Sequence, residues 1–293
     1  MLTTSWKLFE RLRSMLCIAA VLLLAALALS NHFASATPQS PGRASSPVAP
    51  AFSLRYITFK DHLYAVADVN LESQEIIFST AVDNKPETYP VVISKLYSAG
   101  LKPVLITNGG IYGIDSQPLG LLITPGGKKH DVNIKAGSGN FSWDSAVFQI
   151  LDGGAASIVP ARDWQDNPHT IAATQSGPQL ASSSKINQGF QPQSRFSFRR
   201  TAAGVDRSNK RIVHLVVTRD SVTLFELATF MVDELHCSEA LHLDGDLSAF
   251  YIPSSPDKFV FSDPGERIVT ALSVIEKVKP GNRALKARHS GKR

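Results

Sequence analysis

Residues 52–82 alternate between short apolar runs and polar breaks: FSLRYITF, HLYAVADV and EIIFSTAV. Each run is rich in β-branched and aromatic residues, and the pattern predicts three strands. The period then changes. Val92, Leu96 and Ala99 fall on one face at helical spacing, Pro90 suits a first turn and Gly100 suits a stop, so a helix is expected over residues 89–99. KPVLITNGG, residues 102–110, reads as a buried strand running into a glycine pair. LGLLITPGGKKHDVNI and FQILDGGAASIV read as hairpins, turning at Pro125-Gly126-Gly127 and at Asp152-Gly153-Gly154. TIAATQSGPQL is expected as a strand closing in a Ser-Gly-Pro turn, and RTAAGVD and RIVHLVVTRD flank RSNK as a further hairpin. A second helix is expected over residues 224–236. Leu224, Leu227, Ala228, Met231 and Leu235 form its core face, and Thr223 or Ser221 stands near its start as a cap. EALHLDGD reads as a strand, and the β-branched residues of ERIVTALSVIEK favour strand over helix there. Many hairpins and few helices predict an α+β class: a single domain with a mixed, mostly antiparallel β-sheet and a few packed helices.

Charge changes the picture at the two ends. The 293-residue chain carries +5; its first 36 residues hold +2 and residues 277–293 hold +7, which leaves −4 between them. The folded part is therefore mildly acidic, which argues against a nucleic-acid-binding core. The N-terminus has a basic start (Lys7, Arg11, Arg13), an apolar stretch from Met15 to Ser30, and a small-x-small site at Ala34 to Ala36. That arrangement predicts a signal peptide over residues 1–36 and an exported protein, periplasmic or secreted. An uncleaved N-terminal membrane anchor is the alternative. A Pro/Ser/Ala-rich linker is expected over 37–51, the folded domain over 52–278 and a basic, disordered tail over 279–293. The tail is suited to weak contact with an anionic membrane or polymer. Cys17 leaves with the signal peptide, so Cys237 remains as a lone cysteine, expected as a small buried residue.

Common chemical motifs are missing. There is no G-x-S-x-G elbow, no H-E-x-x-H pair and no phosphate-binding loop of the Walker type. The DGDLS stretch spaces Asp244, Asp246 and Ser248 like a calcium loop. However, Ala249 stands where glycine is needed and Ser255 where the bidentate glutamate belongs. Four stretches keep chemical interest: TNGGIYG with Asn108, Gly109 and Gly110; TQSGPQL with Gln175 and Ser176; RRTAAGVD with Arg199, Arg200, Thr201 and Asp206; and HLDGD with Asp244. Each also has a plain structural reading. Glycine pairs make tight turns, a strand arginine is usually a surface or ion-pair residue, and Asp-Gly is a common turn.

Taken in order, these stretches resemble the phosphodiester glycosidase family. The order is Asn-Gly-Gly, then Pro118, Gly120 and Leu121, then Gln-Ser-Gly-Pro-x-Leu at 175–180, then Arg-Thr-Ala-x-Gly at 200–204, then TLFELA and ALHLDGD. The resemblance spans residues 54–278. It departs at one loop: Asp246 and Leu247 stand where the family often has glycines, while Ser248 keeps its place. The resemblance implies a hydrolase that cleaves a sugar from a sugar-1-phosphodiester of an envelope or extracellular glycan. Under that reading Arg200 balances the phosphate charge, Asp244 serves the oxocarbenium-like carbon, and Glu226 is a further catalytic carboxylate. Asn108, Gly109, Gly110, Gln175, Ser176, Thr201, Asp206, Asp246 and Ser248 are the expected substrate contacts. His242, two residues before Asp244, is either an acid or base or a satisfied core histidine. No cofactor and no resident metal is assigned. Two other classes remain open: a non-catalytic binder of carbohydrate or sugar phosphate, and a metal-dependent phosphodiesterase using Asp244, Asp246 and His242.

Overall fold

The computed structural model describes residues 53–135, 141, 144–245, 247–262 and 265–277. The expected leader, linker and basic tail, as well as Asp246, lie outside the described residues. The described residues belong to one compact unit, Pro50–Arg293. It opens with β1 (Ser53–Phe59) and β2 (His62–Asn70), joined through Lys60 and Asp61 at φ 48° and 65°. Two successive positive-φ residues match the twist of a two-residue hairpin, and aspartate tolerates that region. Then come β3 (Gln74–Thr80), β4 (Glu87–Thr88), α1 (Tyr89–Ser98) and β5 (Pro103–Asn108). The two glycine hairpins follow as β6 (Leu122–Thr124) with β7 (Gly127–His130), and β8 (Ala146–Leu151) with β9 (Ala156–Pro160). Next are β10 (Thr170–Ser176), β11 (Gln179–Ser182) and β12 (Lys185–Ile186), then the hairpin β13 (Thr201–Asp206) and β14 (Ile212–Thr218). The chain continues through α2 (Leu224–Thr229), β15 (Cys237–His242), β16 (Phe250–Tyr251), β17 (Phe259–Val260), β18 (Arg267–Ile268) and β19 (Thr270–Glu276).

The α+β class is the one observed, and the pairings between the described strands are antiparallel. The strands divide among three main sheets: β1-β2-β14-β13-β15-β11-β12, β7-β6-β10-β8-β9 and β17-β16-β5-β19-β3, with β18-β4 as a small ladder. The run TIAATQSGPQL shows why one sheet becomes several. Its first half, β10, pairs with β6 and β8; beyond Gly177-Pro178 its second half, β11, pairs with β15 and β12. Proline brings no amide donor, so the ladder stops there and the chain changes sheets.

Alternation along the strands sorts the core. Val213, Leu215 and Val217 of β14, Ala203 and Val205 of β13, and Leu241 of β15 face a central cluster with Phe148, Ile158, Leu105 and Leu272 from the other sheets. The opposite face carries Val66, Ala202, Val216 and Ala240, and it is covered by Leu227 of α2 and by Met231 in the turn that continues it. A third cluster packs Val92, Ile93 and Leu96 of α1 on Ile106, Ala271 and Ile275. Leu227 and Met231 are fully buried, each worth roughly 1.5–3 kcal/mol of burial, so truncating either to alanine weakens this packing.

Two sequence expectations need adjustment. The second helix is regular only to Thr229; Phe230–Glu234 forms a wider π turn, with the Leu235 amide bonded to the Phe230 carbonyl at 3.1 Å, and His236 leaves it at φ 54°. The first helix ends at Ser98 with Gly100 at φ 74°, a left-handed stop that glycine takes without strain. Cys237 is buried as expected, its thiol pushed up by burial. Gly204 is needed opposite it, because a Cβ there would stand 2.4 Å from the Cys237 sulfur. Among the described residues no helix is long and apolar enough to cross a membrane.

Candidate functional site at a three-sheet corner

The three main sheets meet where β5, β10 and β15 end and β13 begins. Asn108, the last residue of β5, is 2% exposed. Its Oδ1 accepts from the Thr107 hydroxyl at 3.1 Å and the Thr201 hydroxyl at 2.8 Å, and its Nδ2 donates to the Asp244 carbonyl at 3.1 Å. One side chain thus ties the third sheet to the first. Ser176, the last residue of β10, ties in the second sheet by donating to the Leu243 carbonyl at 2.9 Å. Thr201 adds backbone bonds: its amide reaches the Asp244 carbonyl at 3.2 Å, and its carbonyl accepts from Leu243 at 2.9 Å. Asn108 and Thr201 hold the main chain of Asp244, and its carboxylate Oδ1 accepts the Gly245 amide at 2.7 Å. The result is a carboxylate on a rigidly anchored, half-buried backbone.

Arg200 stands on the α2 face of the first sheet, the face of Ala202 and, across the ladder, His242. It is 3% exposed. Its Nε donates to the Val222 carbonyl at 3.4 Å, its Nη1 lies 3.5 Å from His242 Nε2, and its guanidinium sits 5.1 Å from the centre of the Phe198 ring. His242 Nδ1 is 2.9 Å from the Gly177 carbonyl, which can only accept, so Nδ1 carries the proton and Nε2 is left to accept from Arg200. Burial first, and the Arg200 charge second, push His242 down to about 3, against an opposing hydrogen bond to Gly177. The imidazole is therefore neutral at ordinary pH. It is a satisfied core histidine that holds the arginine, and not an acid. Nor is it a metal ligand, since one nitrogen is committed and the other faces a cation. Among the described residues no group of three or more His, Cys, Asp or Glu is placed to hold a metal ion. Gly245 adjoins both: a Cβ there would stand in ordinary contact, 3.4 Å from His242 Nε2 and 3.6 Å from Arg200 Nη1.

The loop after Asp244 is held from below. The Ser248 hydroxyl donates to the Gly245 carbonyl at 3.2 Å, and its carbonyl accepts from Arg199 Nη2 at 2.5 Å. Arg199 also donates to the Phe261 carbonyl, so the two adjacent arginines divide their tasks. Arg199 braces the loop from one side of the strand, and Arg200 meets His242 on the other. Leu247 packs against the third core cluster, which accounts for an apolar residue where the resembling family often has glycine. Tyr89, which no sequence signal marked, also belongs here. Its phenol is fully buried, and its hydroxyl has no hydrogen-bond partner among the described residues. Burial, then the Glu266 and Asp244 charges, push it up.

The structure therefore brings together Asn108, Ser176, Arg200, Thr201, Asp244 and Ser248. It gives other expected contacts different tasks. Gln175 points away from Ser176. Its Oε1 accepts from the Leu121 and Asn133 amides at 3.0 and 2.9 Å, and its Nε2 donates to the Asn133 carbonyl at 2.6 Å and the Ser145 hydroxyl at 3.0 Å. All four positions of the amide are used, which leaves none for a substrate. Gly109 and Gly110 serve close packing within the protein. A Cβ on Gly110 would stand 2.5 Å from the Gln175 carbonyl oxygen, one on Gly109 would stand 2.9 Å from the Thr270 hydroxyl, and the Gly109 amide is bonded to the Thr270 carbonyl at 2.8 Å. Glu226 closes a capping box: its Oε2 accepts the Thr223 amide at 2.8 Å, and its own amide donates to the Thr223 hydroxyl at 3.1 Å. Asp206 lies five residues along β13 from Thr201, about 17 Å at the usual rise. There it accepts from the Ser208 and Asn209 amides, both at 2.8 Å, in the hairpin turn.

An antiparallel α+β domain with an arginine and an anchored carboxylate at its strand ends defines the class. The family model described as phosphodiester glycosidase matches residues 102–271, more than half of the chain, and the chain belongs to that family. It is a glycosidase-like hydrolase by family. A curated relative, the uncharacterized protein YigE of Escherichia coli (strain K12), is 28% identical over 145 residues, covering 50% of this chain and 56% of that one. The chain thus spans just over half of that relative's length. The fold is similar to the zebrafish N-acetylglucosamine-1-phosphodiester alpha-N-acetylglucosaminidase catalytic domain auto-inhibited by its pro-peptide. That likeness has a TM-score of 0.55 at 18% identity and covers 79% of this chain and 86% of that one.

Proposed function

We propose that the protein hydrolyses the bond between the anomeric carbon of a sugar and the phosphate of a sugar-1-phosphodiester, in an envelope or extracellular glycan reached after export. The observation that carries this reading is the pairing of a nearly buried guanidinium, Arg200, with the adjoining Asp244–Gly245 loop, inside the segment that matches the family. In the reaction the C1–O bond breaks and its electron pair leaves with the phosphate. A phosphate monoester is a good leaving group, so charge balance by a fixed cation matters more than a strong general acid. Arg200 supplies that cation, held in place by Val222 and by neutral His242. Positive charge grows at C1, and the Asp244 carboxylate stabilises it or takes the proton of the attacking water. Water delivers hydroxide to C1, and its remaining proton ends on the released phosphate or in solvent.

Hydrolysis of sugar-1-phosphodiesters in oxygen-18 water tests this directly. Label in the released sugar is the expected result. Label in the phosphate would mean P–O cleavage, and no release from a panel of such diesters would leave a binding protein.

A further inference from the structure

Just before β13, Arg199 joins two separate stretches of chain through one nitrogen. Its Nη2 donates to the Ser248 carbonyl at 2.5 Å and also to the Phe261 carbonyl. Phe261 is an unusual anchor. Its φ is 63°, a region that a bulky residue enters only under strain and only when its surroundings hold it there. Those surroundings are visible. The Phe261 ring meets Tyr56 edge to face at 6.0 Å, and Val260 pairs with Phe250 in the third sheet. Phe259 lies edge to face against Tyr251 at 4.8 Å and against Tyr89 at 6.2 Å. The Phe261 carbonyl is therefore a fixed point, and Arg199 relates the loop after Asp244 to it.

From Arg199 a run of hydrogen bonds leads to the carboxylate. Arg199 holds the Ser248 carbonyl, the Ser248 hydroxyl donates to the Gly245 carbonyl at 3.2 Å, and the Gly245 amide donates to Asp244 Oδ1 at 2.7 Å. Arg199 also packs directly on the last link, since a Cβ on Gly245 would stand 3.3 Å from the Arg199 carbonyl oxygen. This run adds a constraint that the strand-end bonds lack. Asn108 and Thr201 hold the Asp244 carbonyl, which pins one side of the planar peptide between Asp244 and Gly245. The other side ends in glycine, whose backbone resists rocking least of all residues. Holding that side falls to Ser248, and holding Ser248 falls to Arg199. We propose that Arg199 is a positioning residue: acting through Ser248 and Gly245, it sets the direction of the Asp244 carboxylate. That the direction serves bond cleavage rests on the function proposed above. The two adjacent arginines then differ in kind, because Arg200 acts on the phosphate and Arg199 acts through another residue.

Amide hydrogen exchange followed by NMR on the full chain tests the link without requiring turnover. In Arg199→Met the Gly245 amide should exchange at least ~tenfold faster, while the Leu243 amide, bonded to the Thr201 carbonyl, keeps its rate. On a sugar-1-phosphodiester the same variant should lose kcat at least ~tenfold per folded molecule, with KM within about twofold. Arg199→Lys should recover kcat to within about threefold of the unaltered protein. A single nitrogen meets both carbonyls, and an ammonium with three N–H groups can serve two acceptors, although its stem is one bond shorter. Ser248→Ala breaks a later link with Arg199 in place, and it should give the same faster Gly245 exchange even if Arg199→Met does not fold. Unchanged Gly245 exchange in Arg199→Met or in Ser248→Ala overturns the proposal. So does equal acceleration at Gly245 and Leu243, which would make Arg199 a general brace. The two readings fail separately. Sugar release with unchanged Gly245 exchange removes the positioning role and keeps the glycosidase. Faster Gly245 exchange without any sugar release from the unaltered protein keeps the link and removes the reaction.

Discussion

Two buried histidines stand on the same face of the first sheet, two registers apart along β13: His242 opposite Ala202 and His214 opposite Gly204. Their neighbours differ in charge. His214 lies between carboxylates, with Nδ1 2.7 Å from Asp68 and Nε2 3.5 Å from Asp206. Asp68 is further held by Arg55, through bonds of 2.8 and 2.9 Å, and by Ser53 at 2.8 Å. Burial alone would raise the Asp68 carboxyl. Hydrogen bonds from His214, Arg55 and Ser53 outweigh it and hold the group well below the usual carboxylate range. His242 instead lies between a carbonyl and a guanidinium and stays neutral. In the first region the Arg55 guanidinium balances the Asp68 carboxylate, and His214 lies against the same carboxylate. In the second the imidazole adds no charge beside the Arg200 guanidinium and helps hold it in place. The same residue type on the same face therefore lies between carboxylates in one place and against a guanidinium in the other.

The largest expected effect that would break this comparison is on rate. Asp244→Asn should lower kcat by at least ~10²-fold while changing stability by less than about 1 kcal/mol, because the amide can still accept from Gly245. The matching change at the other region, Asp206→Asn, should leave kcat within twofold. Turnover assays paired with urea melts read both, and an equal loss in the two variants would erase the distinction. Arg200→Lys comes next. Lysine keeps the charge but not the planar fork, so kcat on a sugar-1-phosphodiester should fall about tenfold or more. An unchanged rate would assign Arg200 to structure alone.

The two regions should also separate by pH. His242 titrates lower in the folded state than its ordinary 6.5, so between about 6.5 and 3 the unfolded chain binds the additional proton. Its contribution is complete above 6.5 and is lost as pH falls, at up to ~1.4 kcal/mol per pH unit. Asp68 also titrates low when folded, and its contribution is present above the ordinary carboxylate value and lost only at more acid pH. Chemical denaturation across pH should show the first decline already below 6.5, and His242→Asn should flatten that part while Asp68→Asn should not. The smallest effect is expected at Glu226. Glutamine also serves a capping box, so Glu226→Gln should cost less than ~0.5 kcal/mol and leave turnover within twofold. A hundredfold loss there would restore Glu226 to the chemistry.

Local pattern carried much of the architecture. The hairpins at Pro125–Gly126 and Asp152–Gly154, the helix from Tyr89 with its glycine stop, and the strand character of residues 270–276 were legible because turn chemistry and periodicity act over a few residues. Arg200 and Asp244 were legible as a pair only through the order of motifs, since 44 positions separate them in the chain. Partnership was not legible. Gln175 and Ser176 are adjacent and equally polar, yet strand alternation sends one to Leu121 and Asn133 and the other to Leu243. Glu226 and Asp206 look as chemically able as Asp244, and nothing local says that one caps a helix and the other a turn. His242 likewise became a neutral holder of Arg200 only through a carbonyl 65 residues away. The sequence by itself thus determined the elements and the family-like order of polar residues. The tertiary structure alone decided which of those residues share a corner, because hydrogen bonding and charge depend on neighbours that three separate sheets bring together.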